Sequence, residues 1–288
     1  MSLSSSLLKI EPDQLQAALL AGIAHVQTRR ELLNRINVFP VPDGDTGTNL
    51  MFTLNSVGSR LRKRAAPRMN RLLDEVADAA LDGARGNSGA IIAQYFHGMS
   101  ESCRNCQQMD ARQLAAASKA GAAAAWSAMS RPVAGTMPTV LEDFGDALAE
   151  GVEDGIDDIR RLFNRARKAA HRSLAATPDK LPVLREAGVV DAGGQGFVDL
   201  LDGIWRYIRA GRMPKTVAGV EPEVEPAGPD LHAAHGPGEH RYCTECLISS
   251  NGADGQLAMT ELRAALEALD ASSLVVAGGG RRARVHIH

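Results

Sequence analysis

The chain has 288 residues, 44% of them hydrophobic and 23% charged, with a net charge of −2. These are ordinary values for a globular protein, and a chain so close to neutral has no field of one sign to steer it to nucleic acid or an anionic membrane. No apolar run reaches the roughly 18 residues that a membrane span needs. Four cysteines are too few for a disulfide framework in a chain of this length. Met1 to Asp13 lacks the basic start and cleavage site of a signal peptide, so a reducing cytoplasm is the expected compartment.

Alanine and leucine are abundant and aromatic residues make up only 4%, a balance that favours helices. From Asp13 to Asn34, apolar residues recur at three- and four-residue steps, which predicts a helix. Pro40 and Pro42 end it, because prolines two apart forbid a continuous helical ladder. Further helices are predicted over 48–62, 70–81, 88–103, 110–129, 136–150, 154–176 and 195–210, giving about eight in all with hardly any strand. Residues 214–240 are rich in Pro, Gly and Glu and read as a flexible linker between a first domain, 1–213, and a second, 241–288. The second domain reads strand, helix, strand, strand. The chain stops inside its last strand, which suggests a fragment of a longer protein.

Chemistry concentrates in four small-residue turns, each placed before a helix. The first is Asn37-Val-Phe-Pro-Val-Pro-Asp43-Gly-Asp45-Thr46-Gly-Thr48-Asn49. Two carboxylates flanking a glycine suit Mg²⁺, which takes oxygen ligands and is usually shared with substrate phosphates. The same four residues, Asp-Gly-Asp-Thr, are also an ordinary helix N-cap. The second turn is Gly83-Ala-Arg85-Gly-Asn87-Ser88-Gly89, the third runs from Pro132 through Gly135, Thr136 and Met137 to Thr139, and the fourth holds Asp191, Gly193 and Gly194. Any one of them is weak evidence. Four in an otherwise helical domain suggest helix N-termini gathered around one anionic ligand.

In order and spacing these segments resemble the dihydroxyacetone kinase-type nucleotide-binding family (Dak phosphatase or DhaL-like), closest to the kinase subunit of bacterial fatty-acid kinase. The likeness covers roughly residues 8 to 213, with a weaker match from 241 to the end. It implies an all-α antiparallel helical barrel with ATP at one end, followed by the start of a small α/β domain. Asp43 and Asp45 would hold two Mg²⁺ ions, and Asn37 stands in the region where the dihydroxyacetone kinase branch has a further Asp ligand. Thr46, Thr48, Asn49, Asn87, Ser88 and Gly89 would meet phosphate oxygens. Gly135, Thr136 and Met137 would lie near the base, and Asp191, Gly193 and Gly194 would close the far side. Arg85 is the candidate for stabilising the transferring phosphoryl group. The implied acceptor is a fatty-acid carboxylate presented by a DegV-type binding protein, with acyl phosphate as product. The ATP-binding half of a dihydroxyacetone kinase, or a non-catalytic nucleotide-binding module, are the other readings.

Cys103 and Cys106 form a Cys-x-x-Cys pair at a helix end and are read as incidental. In the second domain, His286 and His288 fall on one face of a strand. With Cys243 on a neighbouring strand they would make a three-ligand site that suits Zn²⁺. The resemblance supports that trio and also associates this domain with a homodimer.

Overall fold

The computed structural model describes residues 6–63, 66–210, 244–250, 256–268 and 274–287. Ten helices fill the first part: α1 (Pro12–Arg35), α2 (Thr46–Lys63), α3 (Met69–Gly83), α4 (Gly86–Ser102), α5 (Ala111–Ala128), α6 (Met137–Glu153), α7 (Ile159–Ala175), the short α8 (Thr177–Lys180) and α9 (Pro182–Ala187), and α10 (Ala192–Ala210). The eight long ones match the eight predicted, most with ends shifted by a few residues. Each long helix packs on the next in the chain, and α10 returns to both α7 and α1, so the ring closes as an antiparallel barrel. A two-residue strand, β1 (Lys9–Ile10), pairs with β2 (Met109–Asp110) at one end.

Ring closure depends on how near α10 can come to α1. A Cβ on Gly203 would meet the Gly22 Cα at 2.7 Å, and one on Gly22 would meet the Leu200 carbonyl at 2.8 Å. Two facing glycines therefore bring the backbones into contact. Inside the ring, Phe144 and Phe197 meet edge to face with centroids 5.6 Å apart. An apolar cavity of about 370 Å³ lies beside them, lined by Leu19, Phe96, Leu114 and Tyr207 among others.

The last part is a three-stranded antiparallel sheet of β3 (Thr244–Ser249), β4 (Leu274–Gly279) and β5 (Arg282–Ile287), in the order β3-β5-β4, with helix α11 (Met259–Glu267). Strand alternation divides β4 between two cores: Val275 and Ala277 join the barrel's, while Leu274 and Val276 pack with Leu262 and Leu266 of α11. The sheet docks on α4, where the Gly278 amide donates to Gln94 Oε1 at 2.6 Å, and on the end of α5, where the Ser130 amide donates to the Leu274 carbonyl at 3.1 Å. The predicted linker lies outside the described residues.

Candidate functional site

The turn between α1 and α2 is organised by two asparagines. Asn37 Oδ1 accepts from the amides of Asp45 and Thr46, both at 3.1 Å, and its Nδ2 donates to the Val41 carbonyl at 3.0 Å. Asn34, inside the last turn of α1, accepts the Thr48 amide at 3.0 Å and donates to the Thr48 hydroxyl at 3.0 Å. Gly44, at φ +69°, carries the chain through a left-handed bend between the two acids. The outcome is a rigid loop holding two carboxylates side by side. They are hydrogen-bonded to each other, and Asp45 also bonds Asn49. Burial and then the Asp43 charge push the Asp45 pKa up to about 6.

Two carboxylates sharing a proton in a half-buried turn form a donor set that lacks a cation, and hard oxygen donors of this kind fit Mg²⁺. Asn37 does not extend the set. Both acceptor positions of its carboxamide oxygen are taken by backbone amides, so it braces the loop where a third ligand was expected. Among the described residues, no group of three or more His, Cys, Asp or Glu side chains gathers to hold a metal.

Immediately beyond Asp45 opens a cavity of about 330 Å³. Its wall takes Thr46 from α2, Asn87 and Ser88 from α4, Met137 and Pro138 from α6, and Gly193 from α10, together with Thr136 and Asp191 just before α6 and α10. The four predicted turns thus bring the first turns of four helices to one hollow. Phe39, Ile91, Leu274 and Val275 supply an apolar side, so β4 closes part of the wall.

Other predicted residues lie behind this lining. Asn49 packs against Gly86, where a Cβ would collide with its carboxamide nitrogen; φ at Gly86 is +57°, so glycine is required there on both counts. Thr48 is engaged with Asn34, and the Gly89 amide bonds the Arg85 carbonyl within α4. The Gly135 amide donates to Thr139 Oγ1, capping α6. Gly194 donates its amide to Asp191 Oδ2 at 2.7 Å. Asp191 is fully enclosed, and burial drives its pKa up to about 6 against the bonds from the Gly194 and Met137 amides. One carboxyl thereby ties the start of α10 to the start of α6. Arg85 does not line the cavity. Its guanidinium pairs with Glu245 of β3 at 3.1 Å, away from any group being transferred.

Sequence reasoning missed Asn34, because its side chain bonds across to the next helix and such a contact leaves no local pattern. Of the proposed zinc trio, Cys243 and His288 lie outside the described residues. His286 is buried on β5 with Nδ1 3.3 Å from Glu245 Oε1. Cys103 and Cys106 are buried at the end of α4, and burial together with the neighbouring thiol pushes Cys103 up to about 12, which leaves it unreactive.

A closed ring of antiparallel helices, with small-residue turns and an acid pair at one end, defines a dihydroxyacetone kinase-type fold. The dihydroxyacetone kinase from C. freundii, solved in complex with AMP-PNP and Mg²⁺, superposes with a TM-score of 0.53 at 15% identity, covering 72% of this chain and 36% of that one. The DAK2 domain model matches residues 40–206, and the FakA-like middle domain of fatty acid kinase matches 239–288. The chain belongs to the DAK2 domain family. Protein YloV of Bacillus subtilis is 31% identical over 277 residues, with 94% of this chain and 49% of that protein covered. An uncharacterized protein of Staphylococcus saprophyticus is 33% identical over 247 residues, with 83% and 44% covered. The chain spans about half the length of the curated relatives it matches. No helix among the described residues is long and apolar enough to cross a membrane.

Proposed function

We propose that this chain is the ATP-binding kinase part of a fatty-acid kinase-type enzyme. It would transfer the γ-phosphate of ATP to a fatty-acid carboxylate presented by a separate DegV-type binding protein, giving an acyl phosphate. The observation that carries this reading is the Asp43–Asp45 pair. It sits one residue before a hollow walled by four helix N-termini, in a chain whose C-terminal part matches a fatty acid kinase middle domain.

Asp43 and Asp45 would hold Mg²⁺, which supplies charge neutralisation for the nucleotide phosphates when bound. Where two ions bind, phosphate oxygens would complete the second shell, since Asn37 is committed to the loop. The first turns of α2 and α4 orient the phosphates through Thr46, Asn87 and Ser88. Ile91, Met137, Leu274 and Val275 give the base an apolar slot. A carboxylate acceptor is already a nucleophile, so the chain needs to position and desolvate rather than take a proton. Zn²⁺ at Cys243, His286 and His288, and self-association through the strand unit, belong to the same reading; metal analysis and light scattering of the purified protein check each.

The test is calorimetry of AMP-PNP binding with and without Mg²⁺, in wild type and in Asp43→Ala and Asp45→Ala. Binding that needs Mg²⁺ and disappears in both variants supports the reading, and acyl phosphate formation with a fatty-acid-loaded carrier then identifies the acceptor. Equal affinity in all three folded proteins sinks it. Nucleotide binding without transfer to any acceptor would favour a non-catalytic module.

A further inference from the structure

Glu245 lies on an edge strand whose other side chains are largely exposed, yet its carboxylate turns inward and collects four donors. Arg85 Nη1 donates to Oε2 at 3.1 Å and Arg284 Nη2 donates to the same oxygen at 3.0 Å. The Gly86 amide, at the start of α4, donates to Oε1 at 2.6 Å, and His286 Nδ1 stands 3.3 Å from that oxygen. Two of these partners, Arg85 and Gly86, come from the barrel and two from the strand unit. One carboxylate therefore joins the two parts of the chain. Arg284 is itself buried, 8% exposed, so it depends on Glu245 for compensation.

Position decides what this cluster can do. Residues 87 and 88, directly after Gly86, line the candidate nucleotide cavity, as do Leu274 and Val275 of β4; Glu245, Arg85 and Gly86 do not. The carboxylate thus stands behind the phosphate-facing wall and leaves the hollow itself open. On its other side, His286 lies close enough to Asp45 to act on its charge.

Resting on the nucleotide reading above, we propose that Glu245 is a positioning residue for phosphoryl transfer: it locks the strand unit onto the first turn of α4, so that the Asn87–Ser88 wall, the β4 wall and the acid pair keep one fixed geometry. Arg85 acts through the same lock and does not touch the transferring group.

The test uses the full-length protein with Glu245→Ala and Glu245→Gln, and three readouts. Hydrogen exchange over residues 84–91 reports the lock directly; it should quicken about tenfold in Glu245→Ala and stay near wild type in Glu245→Gln, which keeps an acceptor for the Gly86 amide. Turnover with Mg-ATP should fall at least about twentyfold in Glu245→Ala while the Kd for Mg-AMP-PNP moves less than about threefold, with partial recovery in Glu245→Gln. Unchanged exchange and turnover in Glu245→Ala would overturn the proposal. Tighter nucleotide binding in that variant would also overturn it, because the carboxylate would then be a competitor for the phosphate position. If Glu245→Ala does not fold, Glu245→Gln decides: removing the charge while keeping the shape must still slow turnover more than it weakens binding. Absence of Mg-AMP-PNP binding by wild type would count against the nucleotide reading alone, since the exchange result stands without it.

Discussion

The carboxyl of Asp45 is hydrogen-bonded to that of Asp43 across a single left-handed glycine, and burial with this neighbour pushes its pKa up to about 6. Such a pair is held in place by its surroundings, Asn37 above all, against its own repulsion. Asp45→Asn should therefore raise the stability of the metal-free protein by about 1–2 kcal/mol while abolishing Mg²⁺-dependent nucleotide binding. Thermal melts in EDTA and in Mg-AMP-PNP show both effects. A lower melting temperature in EDTA would mean that the two acids do not oppose each other.

The pH dependence of the same pair runs in opposite directions for folding and for binding. Between about pH 4 and pH 6 the folded protein holds a proton on Asp45 that the unfolded chain has released. Stability of the metal-free protein accordingly falls as pH rises through that window, and the penalty is complete above about 6. A cation needs the ionised pair, so Mg-AMP-PNP affinity should drop as pH falls below about 6. Calorimetry from pH 5 to 7.5 in buffers of different ionisation enthalpy would detect the released proton. Affinity that is flat across this range would remove Asp45 from the metal shell.

Much of this organisation is legible in the sequence. Eight helices follow from three- and four-residue apolar spacing, and the four turns stand out by their glycines. The misses have physical causes. Helices α8 and α9, four and six residues long, are too short for periodicity to register. Residues 154–158 carry helix-compatible side chains, yet Gly155 turns left-handed at φ +78° after α6, and Asp158 caps α7 afresh. Contacts between distant segments leave no local trace at all: Gly86 and Glu245 are 159 residues apart. Closure of the ring came from family resemblance, because periodicity says which face of a helix is apolar and nothing about which helix covers it.

Asn34 tests the division of labour in the acid loop. Its carboxamide holds the amide and hydroxyl of Thr48, so Asn34→Ala leaves both to find other partners and frees the first turn of α2. The expected cost is about 1–2 kcal/mol, as for loss of a helix cap. Because α2 carries Thr46 into the cavity wall, Mg-AMP-PNP affinity should weaken as well, though less than in Asp45→Asn. Chemical denaturation paired with calorimetry separates the two effects. Loss of stability with wild-type affinity would place Asn34 outside the site's support.

Asp191 offers the sharpest contrast between two substitutions at one position. Its enclosed carboxyl accepts the Gly194 and Met137 amides, tying α10 to α6 behind the cavity, while burial raises its pKa to about 6. Asp191→Ala strips two buried amides of their acceptor and should cost about 2–4 kcal/mol. Asp191→Asn keeps an acceptor and removes a charge that is unfavourable above about pH 6, so at pH 7.5 it should cost less than about 1 kcal/mol. The two variants should also differ in nucleotide affinity, because Met137 forms part of the wall that the tie holds in place. Urea denaturation at pH 7.5 and pH 5 checks the energies: the gap between wild type and Asp191→Asn should shift in favour of wild type at the lower pH, where the native carboxyl is protonated. Equal losses for Ala and Asn would show that the acceptor contributes nothing, and the two helix starts would then be held together by packing alone.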